Sequence, residues 1–311
     1  MPHGIRTLPW PPAARRRHCE TRLISIYPPQ HHSNSNREIA EIALFNTSSP
    51  LKKGEVLHNR KEKVIAKLSP SIKVYIGLIL ILALAAAISV FLPTFPGLIT
   101  PELPAPLPVL ALANAGIMLF LYGGLGFLGL KLSRRLGFPE IWDPKISSKQ
   151  RFLIPALIGA GLGVLLIIGD TIFSRFHTFG PFPHPIFPSS IIASLSAGIG
   201  EELLFRLFFI PFWVWLISYV ILKKRWQNQI FWIVAVLSAL AFAFGHLPAV
   251  MILYNLKTVS EIPPALMAEI ILLNGIITLF AAHYFRKSGF LAPVGIHFWT
   301  DVIWHVIWGL V

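Results

Sequence analysis

Residues 189–222 read SSIIASLSAGIGEELLFRLFFIPFWVWLISYVIL. A membrane-spanning helix needs about 20 predominantly apolar residues, and this run exceeds that. Near its middle, however, stand Glu201, Glu202 and Arg206. A charged side chain at the centre of a bilayer costs roughly 2.5–3.5 kcal/mol on insertion scales, so these groups must face one another, water or a bound molecule instead of lipid. The conflict recurs with His246 in the next apolar run and with His297 and Asp301 in the last. The fold expected is therefore all-α and polytopic, with about seven transmembrane helices, or eight, around a buried polar cavity.

The composition agrees. Of 311 residues, 54% are apolar and 13% charged, against roughly 25% charged in an average soluble domain, and the mean hydropathy is +0.65. The single cysteine, Cys19, has no partner for an internal disulfide, which leaves helix packing to hold the fold.

The net charge of +13 is unevenly spread. Residues 1–70 hold twelve Lys or Arg against five acids, a net +7, among many Pro, Ser, Asn and His. No apolar run of signal-peptide type follows Arg15-Arg16-Arg17 before Val74. The segment reads as a disordered cytoplasmic tail, and residues 71–311 as the membrane domain. A basic tail beside a membrane sets topology and can hold anionic head groups; no nucleic-acid partner is expected. Asn46-Thr47-Ser48 fits a glycosylation acceptor, which has no meaning in a cytoplasmic tail.

Apolar runs place spans near Val74–Leu92, Val109–Leu132, Phe152–Gly169, Ser189–Leu222, Ile230–Leu247, Ala265–Phe285 and Phe290–Leu310. Basic clusters follow the second, fourth and sixth: Lys131 to Arg151, Lys223-Lys224-Arg225 and Arg286-Lys287. The opposite connections hold only Arg175 and Lys257. The positive-inside rule then puts the amino terminus in the cytoplasm and the carboxyl terminus outside, in the plasma or inner membrane. The fourth run, 34 residues, would be about 51 Å as a straight helix. Tilt, projection into the cytoplasm or a kink at Pro211 would accommodate it.

Gly124-Leu125-Gly126-Phe127-Leu128-Gly129 matches a dinucleotide fingerprint by letter, but no strand precedes it and it lies inside an apolar run. With Gly159, Gly161 and Gly163 it reads as small residues that let membrane helices approach.

The chemistry-bearing residues fall in three groups. Glu202 and Arg206, four apart, share one helical stripe and can form an ion pair. Glu201 points about 100° away around the helix and is left as a base for a proton. Phe242, four before His246, can fix the imidazole, and Gly245 leaves room beside it. His297, Asp301 and His305 share another stripe, in which Asp301 can hydrogen-bond His297 and set its tautomer. His305, near Trp304 and Trp308, reads as part of the interfacial belt. The depths of His246 and His297 agree if the fifth helix runs past Pro248 towards Tyr254.

In this order and membrane context, Glu201-Glu202-x-x-x-Arg206, Phe242-x-x-x-His246 and His297-x-x-x-Asp301 resemble the motifs of the CAAX protease and bacteriocin-processing family, related to the type II CAAX prenyl endopeptidases. Arg286-Lys287-Ser288-Gly289 resembles the link before the last motif, and the resemblance covers roughly residues 110–310. It implies an intramembrane endopeptidase with a conical cavity open to the cytoplasm, acting on a membrane-associated or lipidated protein or peptide. Glu201 would be the general base on a water also held by His246, and His297 with position 301 would stabilise the oxyanion. Glu202 and Arg206 would be support. Position 301 is Asp where many members carry Asn; an ionised Asp cannot donate, so orientation of His297 is the role expected for it.

No cofactor is expected. The chemical alternative is zinc held by Glu201, His246 and His297. A different class of reading is a proton-coupled transporter, or a scaffold or immunity protein that acts by binding alone.

Overall fold

The computed structural model describes residues 68–93, 95 and 104–311, which belong to one compact unit, Val64–Val311. The basic tail up to residue 67, Cys19 and Asn46-Thr47-Ser48 lie outside the described residues. Six helices are long and apolar enough to cross a membrane: α1 (Pro70–Ser89), α2 (Leu107–Leu136), α3 (Lys149–Phe173), α4 (Ser189–Ile221), α5 (Gln227–Leu253) and α6 (Pro264–Ser288). A seventh, α7 (Leu291–Asp301), continues through a π-helical turn, Val302–Ile307, and a 3-10 turn, Trp308–Leu310. Its polar residues His297, Asp301 and His305 lower its hydropathy below that of the others. The chain is an integral membrane protein of polytopic helical fold.

Local chemistry sets the helix ends. Ser69 caps α1 by accepting from the Ile72 N–H, with Pro70 in the first position, where its missing N–H is not needed. Gly137 ends α2 in the left-handed region, at φ 74°. Gly289 closes α6 at φ 78°, and a Cβ there would stand 2.7 Å from the Glu140 carbonyl oxygen.

The helix does not break at Pro211. The wider π-turn Leu203–Phe209 precedes the proline, and α4 stays helical from Ser189 to Ile221. Pro211 has no N–H to offer the Leu207 carbonyl. That carbonyl lies against Gly129 of α2, where a Cβ would come within 2.0 Å of it. Gly126 likewise meets Leu203, and Gly159 and Gly163 of α3 meet Ile296, Thr300 and Ile303 of α7. The glycines expected to seat helices therefore do so against α4 and α7, whereas Gly124 and Gly161 have nothing within 4 Å.

An aromatic core closes one end of the bundle. Phe138 from the α2–α3 connection packs edge-on to Phe231 of α5 and Phe285 of α6, with centroids 5.6 Å apart in each case. Leu136, Leu207, Ile210 and Phe290 complete it. The basic connections lie at this end. Outward-facing Phe120 (82% exposed) and Leu112 (75%) present apolar surface suited to lipid. The fifth helix does run past Pro248, to Leu253, with His246 at the joint between Gln227–Gly245 and Leu247–Leu253.

Candidate active site

The ionisable groups meet where α4, α5 and α7 converge. Gly198 sets the register of α4 on α7: a Cβ there would be 3.1 Å from the Phe298 backbone nitrogen. One turn further along α4, Glu202 is brought to His297. The His297 Nδ1–H donates to Glu202 Oε1 at 2.8 Å. The other oxygen, Oε2, lies 3.1 Å from Arg206 Nε. Glu202 and Arg206 are both wholly buried, which demands charge compensation. The guanidinium also stands 4.9 Å from the centroid of the Phe242 ring.

Phe242 is the hub of this arrangement. Its ring lies 4.8 Å from that of His246 and 5.8 Å from that of His297. His246 Nδ1 donates to the Phe242 carbonyl at 2.8 Å. A carbonyl can only accept, so the proton is on Nδ1 and the Nε2 lone pair is left for another donor.

Glu201 differs from its neighbour. Its side chain is 37% exposed, against none for Glu202. Its Oε2 stands 3.8 Å from His297 Nε2, and Asp301 Oδ2 stands 3.6 Å from the same nitrogen. Neither is within hydrogen-bond reach. The direct hydrogen bond expected between Asp301 and His297 is therefore not formed, and Glu202 holds the imidazole instead. His297, with Nδ1 committed to Glu202, can donate from Nε2 only when it carries both protons.

Glu201, His246, His297 and Asp301 all line one cavity of about 510 Å³. Its other walls include Phe182, Pro183 and Pro185 of connection 174–188, Leu253 at the end of α5 and Glu269 in the first turns of α6. A second cavity, of about 500 Å³, lies between α1, α2 and α4, lined by Leu82, Met118, Tyr122 and Ser196. Glu201 lines both.

Connection 174–188 is tied to three helices. The Phe182 N–H donates to Asp170 Oδ1 of α3 at 3.0 Å. His177 Nε2 is 3.1 Å from Glu269 Oε2 of α6. His184 Nδ1 is 3.2 Å from His305 Nδ1 of α7. His305, expected in the interfacial belt, thus faces His184 and the cavity wall, where the π-turn Val302–Ile307 carries it inward. Asp170, Glu269 and His184 were missed from sequence. Glu269 sits within an apolar run, the same signal that marks Glu201, but without a neighbouring motif. Among the described residues, no group of three or more His, Cys, Asp or Glu is arranged to hold a metal ion.

The cavity lies in the half of the bundle away from the basic connections, against residues of connection 174–188 and the end of α5.

Residues 183–303, which hold all three motifs, match the family model described as type II CAAX prenyl endopeptidase Rce1-like. No curated protein and no solved structure matched the chain. With its motif residues gathered in and beside one cavity inside an all-helical membrane bundle, the region 183–303 is similar to the Rce1-like type II CAAX prenyl endopeptidases.

Proposed function

We propose that this chain is an intramembrane endopeptidase that hydrolyses a peptide bond of a membrane-associated or lipidated protein by glutamate-activated water. The observation that carries the reading is the contrast between two adjacent carboxylates. Glu202 is fully buried and engaged by Arg206 and His297, whereas Glu201 is accessible from both cavities. One carboxylate builds the site and the other is free to take a proton.

In the proposed reaction, a water donates one hydrogen to Glu201 and the other to His246 Nε2. Its oxygen attacks the scissile carbonyl carbon, and Glu201 accepts the proton. The oxyanion forms opposite the His297 Nε2–H, with Glu202 holding the ring from behind. Glu201 then returns the proton to the leaving nitrogen as the C–N bond breaks. Asp301 adds negative charge beside the doubly protonated imidazole and does not itself donate. Arg206 and Phe242 position Glu202 and the two imidazoles.

The mechanism proposed uses no metal, with zinc as the competing chemistry. Purified protein that retains cleavage in the presence of a strong chelator supports it, and loss of cleavage restored by zinc would contradict it. From the basic connections we also propose a cytoplasmic amino terminus, in a plasma or inner membrane, and a cavity that opens to the opposite side. The Glu202–Arg206 pair disfavours the transporter reading, because a neutralised fixed carboxylate does not load and release protons.

A further inference from the structure

The reaction cavity is lined by three carboxylates, Glu201, Glu269 and Asp301, and by no Lys or Arg among the described residues. Glu201 and Asp301 belong to the proposed chemistry; Glu269 does not. It stands on the α6 wall, its side chain 1% exposed, and faces the cavity. His177 occupies its Oε2, while Oε1 has no hydrogen-bond partner among the described residues. Five residues on, Asn274 lines the same wall. Its Nδ2 donates to the Ile270 carbonyl at 2.8 Å, which leaves its side-chain oxygen as an acceptor. Behind Glu269, and within hydrogen-bond reach of it, is Asp170, itself 1% exposed. Next to them is an aromatic group: Tyr254 lies 4.6 Å from Phe179 and 6.0 Å from Phe182, centroid to centroid, and Phe182 lines the cavity.

Two neighbouring carboxyls in an apolar setting either share one proton, as their contact allows, or need a compensating charge in order both to ionise. A single histidine, shared with connection 174–188, supplies at most one. An unused carboxylate oxygen, an amide oxygen and aromatic faces together suit a basic group, because a cation is held both by charge-assisted hydrogen bonds and by ring quadrupoles. A substrate carboxylate would meet like charge at Glu269.

We propose that Glu269, with Asn274 and the Phe182 ring, forms a subsite that binds an ammonium or guanidinium group of the peptide substrate, such as a lysine or arginine side chain away from the scissile bond. The assignment rests on the endopeptidase reading above. Glu269 is then a specificity residue, and Asp170 and His177 hold it in place.

The test uses the full chain in liposomes with internally quenched peptides that differ only by lysine or norleucine, scanned through the positions flanking the cleaved bond. At one position lysine is expected to raise kcat/KM by about tenfold or more. Glu269→Gln is expected to bring that ratio close to one, chiefly through KM. Asn274→Leu serves as a second variant should Glu269→Gln fail to fold, and is expected to lower the ratio in the same sense. No position with a lysine preference, or a preference that both variants leave intact, would overturn the subsite; in that case Glu269 only fastens connection 174–188. Binding of a labelled lysine peptide to Glu201→Gln protein separates the two readings. Absence of cleavage by the unaltered protein, together with Glu269-dependent binding, would overturn the endopeptidase reading and leave the subsite standing.

Discussion

Glu202 reaches two ways, to Arg206 on its own helix and to His297 on another. The first contact was legible, because residues four apart on a helix are neighbours. The second was not: the partners are 95 positions apart, and their meeting depends on how Gly198 seats α4 against α7. Spacing alone therefore points to Asp301, its neighbour on the helical stripe, as the residue that orients His297. Removing one partner from a buried ion pair typically costs about 3–5 kcal/mol. Glu202→Ala is therefore expected to lower the unfolding midpoint in detergent as well as activity. Asp301→Asn should differ: the side chain keeps its shape and makes no hydrogen bond to His297. Its expected effect on kcat is within about tenfold, less than that of losing an oxyanion donor, ~10²–10³. A loss as deep as that of His297→Ala would show that the Asp301 charge is indispensable.

At the scale of elements, the span positions were readable within a few residues, since apolar length and helix-end chemistry are local properties. The pairing of helices was not, because small residues announce a close approach without naming the partner. The structure supplies a paired test. Gly129→Ala and Gly159→Ala place a methyl group 2.0 and 2.3 Å from backbone oxygens of α4 and α7. Both are expected to reduce thermal stability, whereas Gly124→Ala and Gly161→Ala, in open space, should leave it unchanged or slightly raised. Equal behaviour of the four variants would contradict the assigned helix contacts.

Connection 174–188 belongs to this scale as well. Burial pushes the His184 imidazole below its ordinary value, with Asp170 of α3 pulling the other way. A depressed folded-state value means that the neutral form is favoured in the fold. The stabilising contribution is present above the ordinary value, about 6.5, and is lost as pH falls below it. Protonation of both rings would also leave His184 and His305 with two donors facing each other, where one donor and one acceptor are required. Hydrogen exchange across residues 180–188, corrected for intrinsic rates, should accelerate between pH 7.5 and 5.5. His184→Phe should abolish that dependence; an unchanged pH profile in this variant would contradict it.

For the whole molecule, the aromatic plug at the basic end and the two cavities towards the other end give the bundle a direction. Charge distribution was legible from sequence; the cavity's direction was not, since it requires knowing which half of each helix faces inward. An impermeant thiol reagent applied to intact cells should label Ser260→Cys, in connection 254–263, and spare Lys224→Cys. The reverse pattern would turn the cavity to the cytoplasm and overturn the proposed orientation.

The central claim is that Glu201 activates water for peptide hydrolysis. Its most direct measurement compares purified unaltered protein with Glu201→Gln, both in liposomes, against a library of internally quenched membrane-inserting peptides, with products identified by mass. Loss of a general base lowers the rate by ~10²–10⁴. The expected result is specific cleavage by the unaltered protein and a loss of at least about 100-fold in the variant, with folding retained. Equal cleavage by the two proteins would contradict the account.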